Sequence, residues 1–298
     1  MGEIAGILSA IFWAMSATLF SEGTSRFGVG PVNRIRLLIG LSLFMLTNLI
    51  VEGSPLPLGA DPIKWVYFGV SGILGLALGD GLMYTAYNMI GTRLAMLVTA
   101  FSPILSSLFA WLLLDETFPP LAFVGIGLTV MGVGVVVLER KEIGQSGSNR
   151  KTYLLGLLAS SVAVLLYAMG NILSKLGLMD GFSSISGVTM RLVFANLISW
   201  APVLMSRHKE GILHKFRQNP KIARLVLIGS LIGPFGGVWM SFVALQNAKV
   251  GIASTLTSTA PIFLLPIARF VYKEKLSWRA IAGTLLAIAG VAVIFLVR

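Results

Sequence analysis

The chain has 298 residues, of which 56% are hydrophobic, 33 are glycine and only 12% are charged. Soluble domains carry ~25% charged residues, so the composition excludes a water-soluble globule of this length. The net charge of +11 lies between apolar runs rather than on one patch and does not point to nucleic acid, while the absence of cysteine and the presence of only two histidines, His208 and His214, exclude disulfides, thiol chemistry and a cysteine- or histidine-built metal site.

Charge-free runs mark the elements. The first, Ile4–Ser21, has no basic stretch before it and no small-residue cleavage signal after it, and it is expected to be a retained helix, not a signal peptide. Trp13 and Ser16 fall near its middle. The second run, Leu37–Val51, is short and follows Arg36 directly. The third, Trp65–Gly79, stops at Asp80, but apolar and aromatic residues continue to Asn88, so the helix is extended through the carboxylate. The fourth, Leu94–Leu114, holds Thr99 and Pro103, and the fifth, Thr117–Leu138, is rich in glycine. A polar linker over 141–151 is followed by Thr152–Ser174, which carries Asn171, and by a second short run, Leu192–Ser206, preceded by Arg191. Leu225–Ala248, Val250–Ala268 and Ala280–Val297 complete the set; the middle one of these holds Ser254, Thr257, Ser258 and Pro261. Most runs are long enough to cross ~30 Å of hydrocarbon at 1.5 Å per residue. They are continuous rather than alternating, which excludes barrel strands. The expected fold class is an all-α integral membrane protein of ten transmembrane helices, placed in a prokaryotic plasma (inner) membrane.

The two halves of the chain, 1–140 and 152–298, repeat one another. At an offset of 154, Trp13–Met15 meets Tyr167–Met169, and at 155, Arg36 meets Arg191. At 158 a gapless match pairs Gly75 with Gly233, Gly79 with Gly237, Thr99 with Thr257, Pro103 with Pro261, Glu116 with Glu274, Gly125 with Gly283 and Gly132 with Gly290. Five spans per half force the second half to insert upside down. Loop charge agrees, because one side gathers 17 Lys/Arg and the other only Lys64, Lys175, Lys249 and Arg298. The basic side is expected to be cytoplasmic, which puts both termini outside.

The order of these features resembles the drug/metabolite transporter superfamily, and within it the ten-span EamA-type carriers. The resemblance rests on "IFWAMSATLFS" in the first helix and on the prolines of the fourth and ninth. It rests also on the acidic residues after them, Glu116 and Glu274, and on the glycine-rich closing helices "GIGLTVMGVGVVV" and "GTLLAIAGVAVIF". It implies an inverted repeat around a central cavity and transport of small metabolites by alternating access. No cofactor is implied, and many relatives keep both termini inside, so the charge pattern here departs from them.

Asp80 is the sharpest single feature. A carboxylate within a span costs ~2.5–3.5 kcal/mol on insertion scales and needs an arginine, water or a proton. Tyr84, Tyr87 and Asn88 share its helical face. It is a candidate substrate and proton-coupling residue, against the plain alternative of a structural ion pair. Arg36 and Arg191 stand at matching places beside short segments, which points to a binding site or gate in an inverted-repeat transporter; snorkelling to headgroups is the competing reading for Arg36. Ser254, Thr257 and Ser258 share one helix face with Pro261, and the prolines are candidate gating elements. Trp13, Ser16 and Asn171 are further substrate-binding candidates. Gly75-x-x-x-Gly79 and Gly233-x-x-x-Gly237 read as close helix packing, and the closing helices as packing or dimer surface. No Walker sequence and no acid–histidine cluster is present, so a nucleotide-driven pump and a membrane enzyme are not expected. The sequence predicts a secondary transporter for a small polar metabolite, amino-acid-like or carboxylate-bearing, with a channel as the alternative.

Overall fold

The computed structural model describes residues 1–99, 101–139, 150–205, 211, 216–260, 262–263, 266 and 278–296, all helical or in connections among those residues. Helix α1 (Gly2–Phe27) ends at Gly28, whose φ of 84° is left-handed backbone that a side chain would strain, and α2 (Val29–Glu52) starts at once with Pro31 in its first turn. Helix α3 (Pro62–Gly72) runs through a π-helical segment (Ile73–Gly79) into α4 (Asp80–Thr99). Helices α5 (Ser102–Leu114) and α6 (Pro120–Glu139) follow. Helix α7 (Arg150–Leu178) closes in a short 3-10 turn and leads to α8 (Ser184–Met205). Helix α9 (Pro220–Ser230) continues through a second π-helical segment (Leu231–Gly237) into α10 (Val238–Asn247), then come α11 (Val250–Thr257) and α12 (Trp278–Leu296). Five runs are long and apolar enough to cross a membrane: Val29–Glu52, Pro62–Tyr87, Arg150–Gly181, Ser184–Leu204 and Pro220–Asn247. Shorter apolar helices cover Gly2–Ser16, Ser102–Leu114, Pro120–Val135 and Ile281–Leu296.

Three boundaries differ from the sequence expectation. The third and fourth runs do not separate near Gly91. A lone glycine costs a helix ~1 kcal/mol but does not stop it, so α4 continues to Thr99. The interruption falls instead ahead of Pro103, which sits in the first turn of α5. There it forfeits no helix hydrogen bond, so it starts a helix rather than kinking one. Arg36 and Arg191 do not begin short helices, because α2 and α8 start seven residues earlier, at Val29 and Ser184. The sequence runs looked short only because the arginine ended the count.

The two π-helical segments lie 158 residues apart at both ends, Ile73 to Leu231 and Gly79 to Gly237. Helices α6 and α12 cross antiparallel through their glycines. A Cβ on Gly125 would stand 3.0 Å from the Gly290 carbonyl oxygen, and one on Gly283 would stand 2.9 Å from that of Gly132. Such distances leave room for hydrogen only, and they let the two backbones touch. The outer faces of the same helices show Leu121, Phe123, Met131, Leu285 and Ile288 to the surroundings, as a lipid-facing surface would.

The ends of the bundle differ. At one end Lys64 donates to Met179 O at 2.9 Å, Lys175 to Leu245 O and Ala248 O at 2.6 and 2.9 Å, and Lys249 to Thr117 O. Gly2 packs there against Asn247 and Ala248. The other end is closed by Phe27, Ile222 and Val226 with Phe216 against them.

Candidate functional site

The interior holds an ion pair. Arg36 of α2 is 1% exposed and donates through Nη2 to Asp80 Oδ2, at the first residue of α4 after the π-helical segment. Its Nε donates to Asn33 Oδ1 at 2.6 Å, one turn back on α2. Tyr84 and Phe20 lie with ring centroids 5.4 and 5.8 Å from the guanidinium carbon, so a cation in a dry setting also meets two aromatic faces. The second carboxylate oxygen of Asp80 accepts from the Tyr167 hydroxyl of α7 at 2.7 Å. Gly79 makes this approach possible, because a Cβ there would stand 2.8 Å from the Tyr167 ring. Asp80 therefore faces the interior, and Arg36 does not reach for headgroups.

Arg191 of α8 is 7% exposed and lies on the other side of the same π-helical segment. A Cβ on Gly75 would sit 3.6 Å from its guanidinium carbon, so the glycine opens the space the cation fills. Its Nη1 donates to Ser174 Oγ at 3.2 Å and its guanidinium covers Phe242 at 5.3 Å. Ser174 also donates to Gly170 O at 2.8 Å and lies 2.7 Å from Ser71 Oγ. Among the described residues Arg191 has no carboxylate partner, and its Nε has no hydrogen bond.

The remaining candidates divide. Tyr84 joins the arginine–aspartate group, with Tyr87 edge-on at 5.8 Å. The side chain of Asn88 and all of Pro261 lie outside the described residues, as do His208, His214 and Glu274. Trp13 packs against the end of the second π-helical segment, where a Cβ on Gly237 would stand 3.2 Å from its indole nitrogen. Ser16 is buried and donates to Trp13 O at 3.2 Å. Thr257 donates to Ala253 O and Ser254 O, both at 3.0 Å, and Ser258 to Thr255 O at 2.8 Å. These hydroxyls satisfy their own helix, as Ser and Thr often do in membranes, and Ser254 is buried on a helix packed against α1 and α5. Asn171 is half-buried beside Gly170. A cavity of about 270 Å³ opens at the end of α7, between Lys175, Leu178, Asp180 and Gln246, not beside Asp80.

Tyr167, Asn33 and Ser174 are functional candidates that sequence reading passed over. Tyr167 was visible only as the repeat partner of Trp13, and nothing in its neighbourhood revealed that it reaches Asp80.

Comparison with known proteins places this arrangement. The EamA-like transporter family model matches residues 1–138 and 154–296. The chain belongs to the EamA-like transporter family. This EamA-like protein is 24% identical over 236 residues to the "Uncharacterized transporter YvbV" of Bacillus subtilis (strain 168), covering 77% of this chain and 72% of the relative. A solved crystal structure, described only as that of a protein, superposes with a TM-score of 0.76 at 19% identity over 100% of this chain and 97% of the other, which shows a shared fold. The chain is thus an integral membrane transporter of the drug/metabolite transporter superfamily.

Proposed function

We propose that this EamA-like protein is a secondary transporter that carries a small polar metabolite, amino-acid-like or carboxylate-bearing, across the inner membrane by alternating access. Its ten spans form two five-helix halves of opposite topology, 1–140 and 152–298, joined by a linker at 141–151. Both termini lie outside. The observation that carries the reading is the buried group of Arg36, Asp80, Tyr167 and Arg191, drawn from both halves. Ionisable side chains within a membrane bundle are costly and mark substrate or ion pathways. The π-helical segments beside them support it, since such irregularities cluster at functional sites. The glycine contacts of α6 and α12 support the opposed topology, because equivalent helices can run antiparallel only if one half is inverted.

In this mechanism substrate enters between the halves and binds beside the Arg36–Asp80 pair. The halves then rock about Pro103, where α5 begins, and its repeat equivalent Pro261. Proton coupling would act at Asp80, where taking up a proton releases Arg36. The chemistry needs no cofactor, only ligand, lipid and protons.

The test is counterflow into proteoliposomes preloaded with an unlabelled metabolite. A carrier concentrates the labelled compound transiently and saturates. Unsaturable flux without counterflow would make the protein a pore instead, and no flux of any metabolite would overturn transport altogether. Asp80→Asn is expected to abolish pH-driven uptake per folded molecule; unchanged uptake would remove Asp80 from coupling.

A further inference from the structure

The two halves agree closely around their arginines and then diverge at two positions. Arg36 lies over Tyr84 at 5.4 Å and Arg191 over Phe242 at 5.3 Å, and these aromatic residues are 158 apart. Tyr167 packs on Gly79 and Trp13 packs on Gly237, again equivalent places in opposite halves. Arg36, however, has two acceptors, Asn33 at Nε and Asp80 at Nη2. At the same offsets of 155 and 158 the second half has Val188 and Val238, both buried. It keeps the guanidinium and its aromatic platform, and it removes both groups that would neutralise and bind it. Ser174 meets one N–H, and Nε is left without a partner among the described residues.

Charge counting gives the same result. Arg36, Asp80 and Arg191 sum to one uncompensated positive charge in the interior. A buried charge without a counterion is strongly unfavourable; the other buried carboxylate, Glu3, lies in the first turn of α1 and meets the N-terminal ammonium, and no ion pair joins it to Arg191 among the described residues.

We infer that Arg191 is the receptor for a substrate carboxylate, which takes the seat beside Val238 that Asp80 occupies beside Arg36. This rests on the transporter reading and narrows its substrate class. The planar donor fork of arginine matches a carboxylate in two parallel hydrogen bonds. One net positive charge balances a monoanion and leaves a dianion in excess. Val188, Val238 and Phe242 are buried in one apolar cluster with Trp13 packed against it, so the neighbourhood of the seat is apolar. Asp80 is already engaged by Arg36 and Tyr167, so an ammonium group would find no free acceptor there. The substrate is therefore a small monocarboxylate with an apolar body rather than a zwitterion.

The experiment uses the purified full chain, with benzoate and isovalerate as probes and benzamide, succinate and leucine as controls, read by thermal shift and by counterflow of labelled benzoate. Wild type should be stabilised by the two monocarboxylates and hardly by the controls. Val238→Asp builds the missing internal carboxylate. It should melt no lower than wild type, lose the benzoate-induced shift and reduce benzoate counterflow ten-fold or more. Arg191→Met, which removes the unpaired charge and should still fold, should lose the same responses, and Arg191→Lys should recover only a minor part. An unchanged benzoate response in either Val238→Asp or Arg191→Met would overturn the assignment. So would wild-type counterflow with leucine or another compound that is not a net monoanion but none with either probe, and that outcome leaves transport itself standing. Absence of flux with every compound tested would overturn the transporter reading and this inference with it.

Discussion

Tyr167 donates its hydroxyl to Asp80 Oδ1 at 2.7 Å, across 87 residues of sequence, while Arg36 holds the opposite oxygen of the same carboxylate. One side chain thus joins α2, α4 and α7, and its removal exposes the others. Asp80→Asn leaves Arg36 buried without its counterion, a change that costs about 3–5 kcal/mol for paired groups of this kind. Tyr167→Phe deletes one hydrogen bond to an ionised acceptor, about 1.5–3 kcal/mol. The order of melting temperatures in detergent should be wild type, Tyr167→Phe, Asp80→Asn. The double change Arg36→Met with Asp80→Leu should recover most of the loss, because it removes both charges together. Asp80→Asn melting with the wild type would show that the pair is incidental.

The α6–α12 contact is a second point of sensitivity. Gly290 and Gly125 meet so closely that a Cβ on Gly290 would be 2.7 Å from the Gly125 carbonyl oxygen. Leucine at Gly125 or Gly283 must push the helices apart, and overpacking of this sort costs about 1–3 kcal/mol or more. Each variant should lose monodisperse protein on size exclusion. The pair at Gly125 and Gly290 should not add, since both act on one contact. A leucine at Leu121 replaced by alanine, on the outer face, should leave the elution profile unchanged.

Much of this was legible in the sequence, and the limits have physical causes. The helical class and the membrane setting follow from composition and periodicity, and the glycine pairs matched at an offset of 158, read as close helix packing, fall in the two π-helical segments. The arginines, matched to each other at an offset of 155, do not stand at helix starts, because hydropathy breaks a run at a charge and the backbone does not. A buried arginine with a partner continues a helix as well as leucine does. Partners were the weakest part of the reading. Asp80 called for an arginine or water, and nothing local in sequence distinguishes Arg36 from Arg191 as that partner. The hydroxyls of α11 looked like a binding stripe, yet a Ser or Thr four residues from a free carbonyl satisfies itself without any ligand.

Glu116 predicts a pH response at the charge-poor end. It lies in the connection between α5 and α6, and its Oε2 accepts from the backbone N–H of Val250 at 2.8 Å, at the first turn of α11. Burial pushes its pKa up from the ordinary 4.5, only partly opposed by that hydrogen bond and by Lys175 and Lys249; Asp115 is the other acid beside it. A raised acid pKa where Glu116 packs against α11 means that this packed arrangement, taken as the closed state of this end, holds the proton more tightly. Acid should therefore favour closure as pH falls from neutral toward 4.5, and the advantage is lost as pH rises through the raised value. Glu116→Gln mimics the protonated form and should hold this end shut across the range. The chain has no cysteine, so Ser107→Cys, buried where α5 meets Gly251, is a clean reporter of opening. Its labelling relative to the same reporter with Glu116→Gln should rise with pH, and a flat ratio would remove Glu116 from the closure.

The same cysteine-free background decides orientation. Lys64, Lys175 and Lys249, three of the few cations on the charge-poor side, are all tied to carbonyl oxygens at one end of the bundle. The opposite end carries Arg150, Lys151, Lys221 and Arg224. A cation anchored by carbonyls offers less free charge to hold a loop in the cytoplasm, so the positive-inside bias is stronger than counting alone indicates. Asp61→Cys, exposed beside Lys64 at the start of α3, should react with a membrane-impermeant maleimide on intact cells. Lys221→Cys, exposed at the start of α9, should react only after permeabilisation. The reverse pattern would place both termini inside, exchange the faces to which the Glu116 contact and the basic end belong, and invert the direction in which acid outside the cell drives the cycle.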